Sequence, residues 1–153
     1  MASFDDRFVE LHRAAFRVAY TLLGDRAEAE DIAQEALARA LVRWRHVESY
    51  AAPWVCRVAA NLAIDRTRRD RRAEGPTAEA TGQDPDIAAR LDLQQALRRL
   101  PRRQRDVVVL RYLLDHAEQT VAETLGVSVG SVKTHASRGL AALRTSLGQE
   151  VEA

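Results

Sequence analysis

The sequence predicts an all-α fold: two small helical domains joined by a flexible acidic linker. Three observations predict it. Apolar residues recur at steps of three and four through almost every segment. Glycine and proline are few, 7 and 4, and they gather at segment boundaries, which argues against an all-β chain. The stretch AEGPTAEATGQDPD, from Ala73 to Asp86, is acidic and lacks a large apolar residue, so it cannot bury enough surface to order itself. The expected division is residues 1–72, a linker over 73–88, and 89–153. The free protein is expected to tumble as two loosely coupled units.

The first helix is read from Phe4, Phe8, Leu11, Ala15, Val18 and Leu22, which form one apolar stripe. Ser3 with Asp6 makes a capping box, and Gly24 ends the helix. Asp25 with Glu28 opens a second helix in the same way. Its stripe is Ala29, Ile32, Ala33, Ala36, Leu37, Ala40, Leu41 and Trp44, with acids in the first turns and Arg39, Arg43 and Arg45 near the end. The stretch RHVESYAA reads as a loop. Pro53 suits the first turn of a third helix, with Trp54, Val55, Val58, Ala59 and Leu62 inward and DRTRRDRR trailing out. After the linker come Ile87, Leu91, Leu97 and Leu100, a stop at Pro101, and the run RRQRDVVVLRYLL. Two short helices around Gly126 follow, the second capped by Ser128 with the stripe Val132, Ala136, Leu140 and Leu143.

Composition narrows the function. Hydrophobic residues make up 46% and aromatics only 5%, so the cores must be built on Ala, Leu and Val. No apolar run approaches the ~20 residues that span a bilayer, and MASFDDRF has no signal-peptide pattern, so a cytoplasmic protein is expected. The lone Cys56 excludes an intramolecular disulfide and a cysteine-pair zinc site. The four histidines, His12, His46, His116 and His135, are scattered, and no phosphate-cradling glycine loop or nucleophile elbow is present. No metal, no cofactor and no catalytic activity are expected. Net charge is only +1, yet it is segregated. Five acids against one arginine make Asp25–Glu35 net −4, and six arginines against two aspartates make Arg57–Arg72 net +4. Ala73–Ala89 is net −4, and Arg98–Arg111 is net +5. Such blocks suit different partners at different surfaces, although solvated faces carry charge too.

Three surfaces stand out. The last two helices fit a helix-turn-helix, in which Val121, Ala122 and Leu125 pack against Val132 and Leu140 and the small Ala122 permits close approach. The second helix then presents Ser131, Lys133, Thr134, Ser137 and Arg138 to the major groove. An ordinary αα-hairpin in a bundle is the plain alternative. The third helix places Arg57, Asn61, Arg66, Arg68 and Arg69 on or near an open side, where a basic helix end attracts phosphates. Asn61 lies in an otherwise apolar helix, where it hydrogen-bonds either a base or a neighbouring loop; Trp54 reads as core. Asp31, Gln34 and Glu35 share one helical face, an acidic docking surface in preference to a metal or acid–base site.

The order AEDIAQEALARAL, PWVCRVAANLAIDRTRR, a linker, ALRRLPRRQRDVVVLRY and VAETLGVSVGSVKTHASRGLAALR resembles a bacterial RNA polymerase sigma factor. It is similar to the compact extracytoplasmic-function (ECF) group, which keeps regions 2 and 4. The resemblance implies that Asp31, Gln34 and Glu35 dock on the clamp helices of core RNA polymerase. It implies that Asn61 lies near the flipped base of the minus-ten element, with Arg57, Arg66, Arg68 and Arg69 beside the strand. The segment Arg45–Tyr50 matches the family's capture loop, so His46 and Tyr50 could line a pocket that replaces stacking. Lys133, Thr134, Ser137 and Arg138 match the face that reads the minus-thirty-five promoter DNA, and the acidic linker matches the segment that threads the polymerase cleft. An anti-sigma protein is an implied candidate partner. Two positions depart from the family: Ala117 stands where a Ser or Thr usually caps the first helix of the turn motif, and His135 where many relatives carry Arg. Asp115 with Glu118 offers a shifted cap. The reading is a non-enzymatic initiation factor. A stand-alone helix-turn-helix regulator is the alternative, and a metal-dependent nuclease using Asp31, Glu35 and Asp65 is a third.

Overall fold

Helix α1 (Phe4–Leu23) and helix α2 (Arg26–Val42) form an antiparallel hairpin around Gly24, which sits at φ 70 and donates its N–H to the Tyr20 carbonyl. The structure, a computed structural model, describes the backbone of residues 2–74 and 85–152 and the side chains of residues 2–66 and 87–148. The capping signals form as expected. Ser3 Oγ accepts from the Asp6 N–H while Asp6 accepts from the Ser3 N–H, and Asp25 accepts from the Glu28 N–H.

The segment expected to be a loop is instead helical. A short helix α3 (Trp44–Val47) and a 3₁₀ turn (Glu48–Tyr50) lead directly into α4 (Ala51–Glu74). Val47, fully buried, pins this bend to the core, and Trp44 packs edge-on against Phe4 with ring centroids 5.5 Å apart. One residue of the expected α2 stripe departs from it: Leu41 is 55% exposed, although Ala40 is buried and Trp44 packs on the core.

The second half contains α5 (Pro85–Arg99), α6 (Arg102–Val108) continued by a π turn (Val109–Leu113), α7 (Glu118–Leu125) and α8 (Val129–Glu152). Thus α4 and α5 occupy both ends of the expected 73–88 linker; its middle, 75–84, lies outside the described residues. Every described element is helical.

The expectation of loosely coupled halves is corrected by the packing. One buried cluster joins Leu11, Val18, Ile32, Leu37, Val55 and Ile64 of the first half to Ala96, Leu97, Leu100, Val108, Val109 and Leu143 of the second. Helix α5 lies against α1 and α4, so α4 is covered from more than one side. This explains why α4 buries Ala60, Ala63 and Ile64 in addition to its expected inner face. A separate small core of Val107, Leu110, Val121, Ala122, Val132 and Ala136 holds α6, α7 and α8 together. Cys56 is buried, and burial pushes its thiol pKa up to about 12, which makes it an unreactive filler.

Candidate functional site

On α2, the buried row of Ile32, Ala33, Ala36 and Leu37 turns Asp31, Gln34 and Glu35 outward together. Asp31 has its side chain 70% exposed, more than the 51% of Glu35. Glu35 accepts from Arg39 Nε at 3.0 Å, one turn along, and Asp31 lies 3.9 Å from Arg66 Nη1. Pairs this exposed hold little energy, about 0–1 kcal/mol, so a partner's cations can displace them. Arg66 thereby leans toward the acidic face, away from the other residues grouped with it.

The α4 face departs most from expectation. Asn61 is 5% exposed and is not on an open side. Its Nδ2 donates to Asp106 Oδ1 at 2.9 Å across the junction with α6, a buried contact 45 residues apart in sequence. Arg57 Nη1 donates to the other carboxylate oxygen of Asp106 at 3.4 Å. Arg105 is buried beside them: its Nη1 donates to Asn61 Oδ1 at 3.5 Å, and its Nε and Nη2 donate to the carbonyls of Leu97 and Arg98. Burial pulls the Arg105 pKa below its ordinary value, and the carboxylates of Asp65 and Asp106 oppose that pull. Asp106 is thus a buried charge with two cationic neighbours and an amide, the condition under which burial is tolerated.

Beside this cluster a groove of about 570 Å³ runs between the end of α2 and α4. Trp54, Val58 and Leu62 form its floor, and Arg39, Arg43, Arg57 and Arg102 its rim. Trp54 and the arginine rim were not grouped by the sequence: Arg39 and Arg43 had an adequate reading as cations at a helix C-terminus, and Arg102 belongs to the other half. His46 and Tyr50 do not line this groove; His46 is exposed on α3, and Tyr50 packs partly into the core. The side chains of Arg68 and Arg69 lie outside the described residues.

The turn motif matches its sequence signals more closely. Gly126 adopts φ 69 and donates to the Ala122 carbonyl, and Ser128 Oγ accepts from the Ser131 N–H. Lys133, Thr134, Ser137 and Arg138 are exposed on α8, and Ser131 is half-buried at its start. Thr134 bonds the Gly130 carbonyl at 3.1 Å, which fixes its rotamer. His135 is partly buried, turned from the open face. The shifted cap does not form: Ala117 is the N-cap of α7, with no side-chain bond, and Asp115 is the single non-glycine residue at positive φ, 55, among the described residues.

Comparison with known proteins agrees with this layout. Residues 8–73 match the family described as Sigma-70 region 2, and residues 90–143 match Sigma-70, region 4. Those two regions define the class, a sigma-70-type protein. The ECF RNA polymerase sigma factor SigW of Bacillus subtilis is 34% identical over 156 residues, covering 86% of this chain and 82% of that protein. The RNA polymerase sigma-E factor of Streptomyces coelicolor is 35% identical over 144 residues, covering 88% and 80%. The chain belongs to the ECF family of RNA polymerase sigma factors. Two solved structures share the fold: RpoE in complex with the anti-sigma factor NepR from Bartonella quintana, and CnrH in complex with the cytosolic domain of CnrY. The first has a TM-score of 0.56 at 20% identity over 95% of this chain and 96% of that one. The second has a TM-score of 0.59 at 21% identity over 95% and 88%. A stand-alone regulator is not favoured for a chain that carries both regions. Among the described residues, no helix is long and apolar enough to cross a membrane.

Proposed function

We propose that this chain is a non-catalytic, cytoplasmic initiation factor that divides promoter recognition between its two halves, with boundaries near residues 72 and 89. As a sigma factor it binds core RNA polymerase and directs it to promoters. The acidic row Asp31, Gln34 and Glu35 is the polymerase contact in this reading. Lys133, Thr134, Ser137 and Arg138, with Ser131, read the upstream duplex. Arg57, Asn61, Arg66, Arg68 and Arg69, with His46 and Tyr50 at the edge, hold the melted minus-ten strand, and the groove beside Asn61 takes an unstacked base. An anti-sigma protein is proposed as a further partner.

The observation that carries the reading is the open polar face of α8 on a capped helix with its own small core, on the same chain as an open acidic face. A helix so held can enter the major groove without rearranging. The test is transcription in vitro with bacterial core polymerase on a library of randomised promoters. Selection of two separated sequence blocks supports it; equal transcription from all templates refutes it.

A further inference from the structure

We infer that Asp106 is an intramolecular latch that closes the two halves over the minus-ten face of α4. The inference rests on the reading of Asn61 and Arg57 given above. Both oxygens of the Asp106 carboxylate are engaged: Oδ1 by Asn61 Nδ2 and Oδ2 by Arg57 Nη1. A carboxylate offers these donors what a phosphate would offer, a pair of oxygen acceptors. DNA and Asp106 therefore compete for the same atoms, and with Asn61 5% exposed and Asp106 3% exposed, the closed chain admits only one of them.

Besides the apolar cluster that α5, α6 and α8 share with the first half, the junction carries polar contacts that water can replace. Its second anchor is at the far end of α1, where the last carbonyls have no partner within the helix. There Arg90 Nε donates to the Thr21 carbonyl at 3.1 Å, and Gln94 Nε2 donates to the Leu22 carbonyl. Water serves those carbonyls equally well once the halves separate. The polar contacts are also incompletely met. Among the described residues Arg57 Nε and Gln94 Oε1 are buried without a hydrogen-bond partner. Buried polar atoms left without partners weaken the hold of the apolar cluster across the junction. The helix-turn-helix keeps its own core of Val107, Leu110, Val121, Ala122, Val132 and Ala136, so opening leaves it folded.

A protein whose competent state is a minor fraction binds more weakly by that fraction. The free full-length chain should thus bind single strands poorly until the latch is cut. The test compares wild type, Asp106→Ala and the double variant Arg90→Ala/Gln94→Ala, which loosens the junction from its opposite end. Small-angle X-ray scattering gives the radius of gyration, and fluorescence anisotropy gives the affinity for a fluorescein-labelled random-sequence DNA single strand. Both variants should expand, and both should bind about tenfold more tightly, with Asn61→Ala added to Asp106→Ala removing the gain. Unchanged radius and affinity in both variants overturn the latch, as does a gain that survives Asn61→Ala. Expansion without any gain in affinity also overturns it. In that case transcription by holoenzyme carrying Asn61→Ala decides separately whether the minus-ten assignment falls as well, since it does so if use of the minus-ten block is unaffected.

Discussion

Gly139 lies where α8 crosses α6, and an added methyl there tests whether that crossing is as close as the structure has it. A Cβ on Gly139 would fall 2.6 Å from Val108 Cγ2 and 3.4 Å from the Gln104 carbonyl. Carbon atoms in contact prefer about 3.5–4.0 Å, so roughly 1 Å must be found. Val108 is buried and β-branched, with one strongly preferred rotamer in a helix, so α6 itself has to shift. Overpacking of this kind costs about 1–3 kcal/mol. Replacing a helical glycine with alanine returns up to about 1 kcal/mol. Gly148, further along α8, has nothing within 4 Å of such a Cβ and collects the gain alone. Gly139→Ala should therefore be less stable than Gly148→Ala by about 1–3 kcal/mol, read from urea unfolding midpoints at constant slope. Val108→Ala in the Gly139→Ala background should restore part of the loss, a coupling of about 1 kcal/mol or more in a double-mutant cycle. If Gly139→Ala stabilises as Gly148→Ala does and shows no coupling to Val108, the α6–α8 approach is not as described, and the angle at which α8 presents Lys133 and Arg138 loses its support.

Four other outcomes are expected. Asp31→Arg with Glu35→Arg should abolish binding to core polymerase while leaving helical circular dichroism intact, because both side chains are exposed; an unchanged titration removes the docking assignment. Arg138→Ala should cost about 1–3 kcal/mol and relax preference at one upstream position, whereas Asn61→Ala should impair the downstream element and strand opening; equal loss at all sequences in binding profiles on randomised promoters would mean phosphate contact only. Ala117→Ser should stabilise the protein by about 1 kcal/mol, since Ala117 already has the extended conformation of an N-cap at φ −65 and ψ 151, and a thermal scan with no rise would count against it. Burial lowers the His116 pKa below its ordinary 6.5, with Asp115 opposing. The unfolded chain then takes up a proton first, so this contribution is complete above pH 6.5 and is lost as pH falls below it. His116→Asn should flatten that acid-side slope in unfolding midpoints measured across the range.

What the sequence determined by itself is local. Ser3 and Asp6, Asp25 and Glu28, Ser128 and the two left-handed glycines are read from residues three or four apart, and the structure returns each of them. The α8 face is legible for the same reason: a helical period of 3.6 sorts Val132, Ala136 and Leu143 inward and Lys133, Thr134, Ser137 and Arg138 outward, whatever the helix packs against. The α3 region, which reads as a loop, is helical because the buried Val47 that shapes it draws on packing with residues distant in sequence. The tertiary structure decided what depends on residues far apart in sequence. Arg57 and Asp106 are 49 positions apart, and no periodicity on α4 announces that a carboxylate from α6 will cover Asn61. The arginine rim of the groove is likewise assembled from α2, α4 and Arg102 at the start of α6. Helix formation is governed by neighbours along the chain, while the choice of which polar face to bury is governed by the one partner that can satisfy it, and for α4 that partner comes from the other half of the molecule.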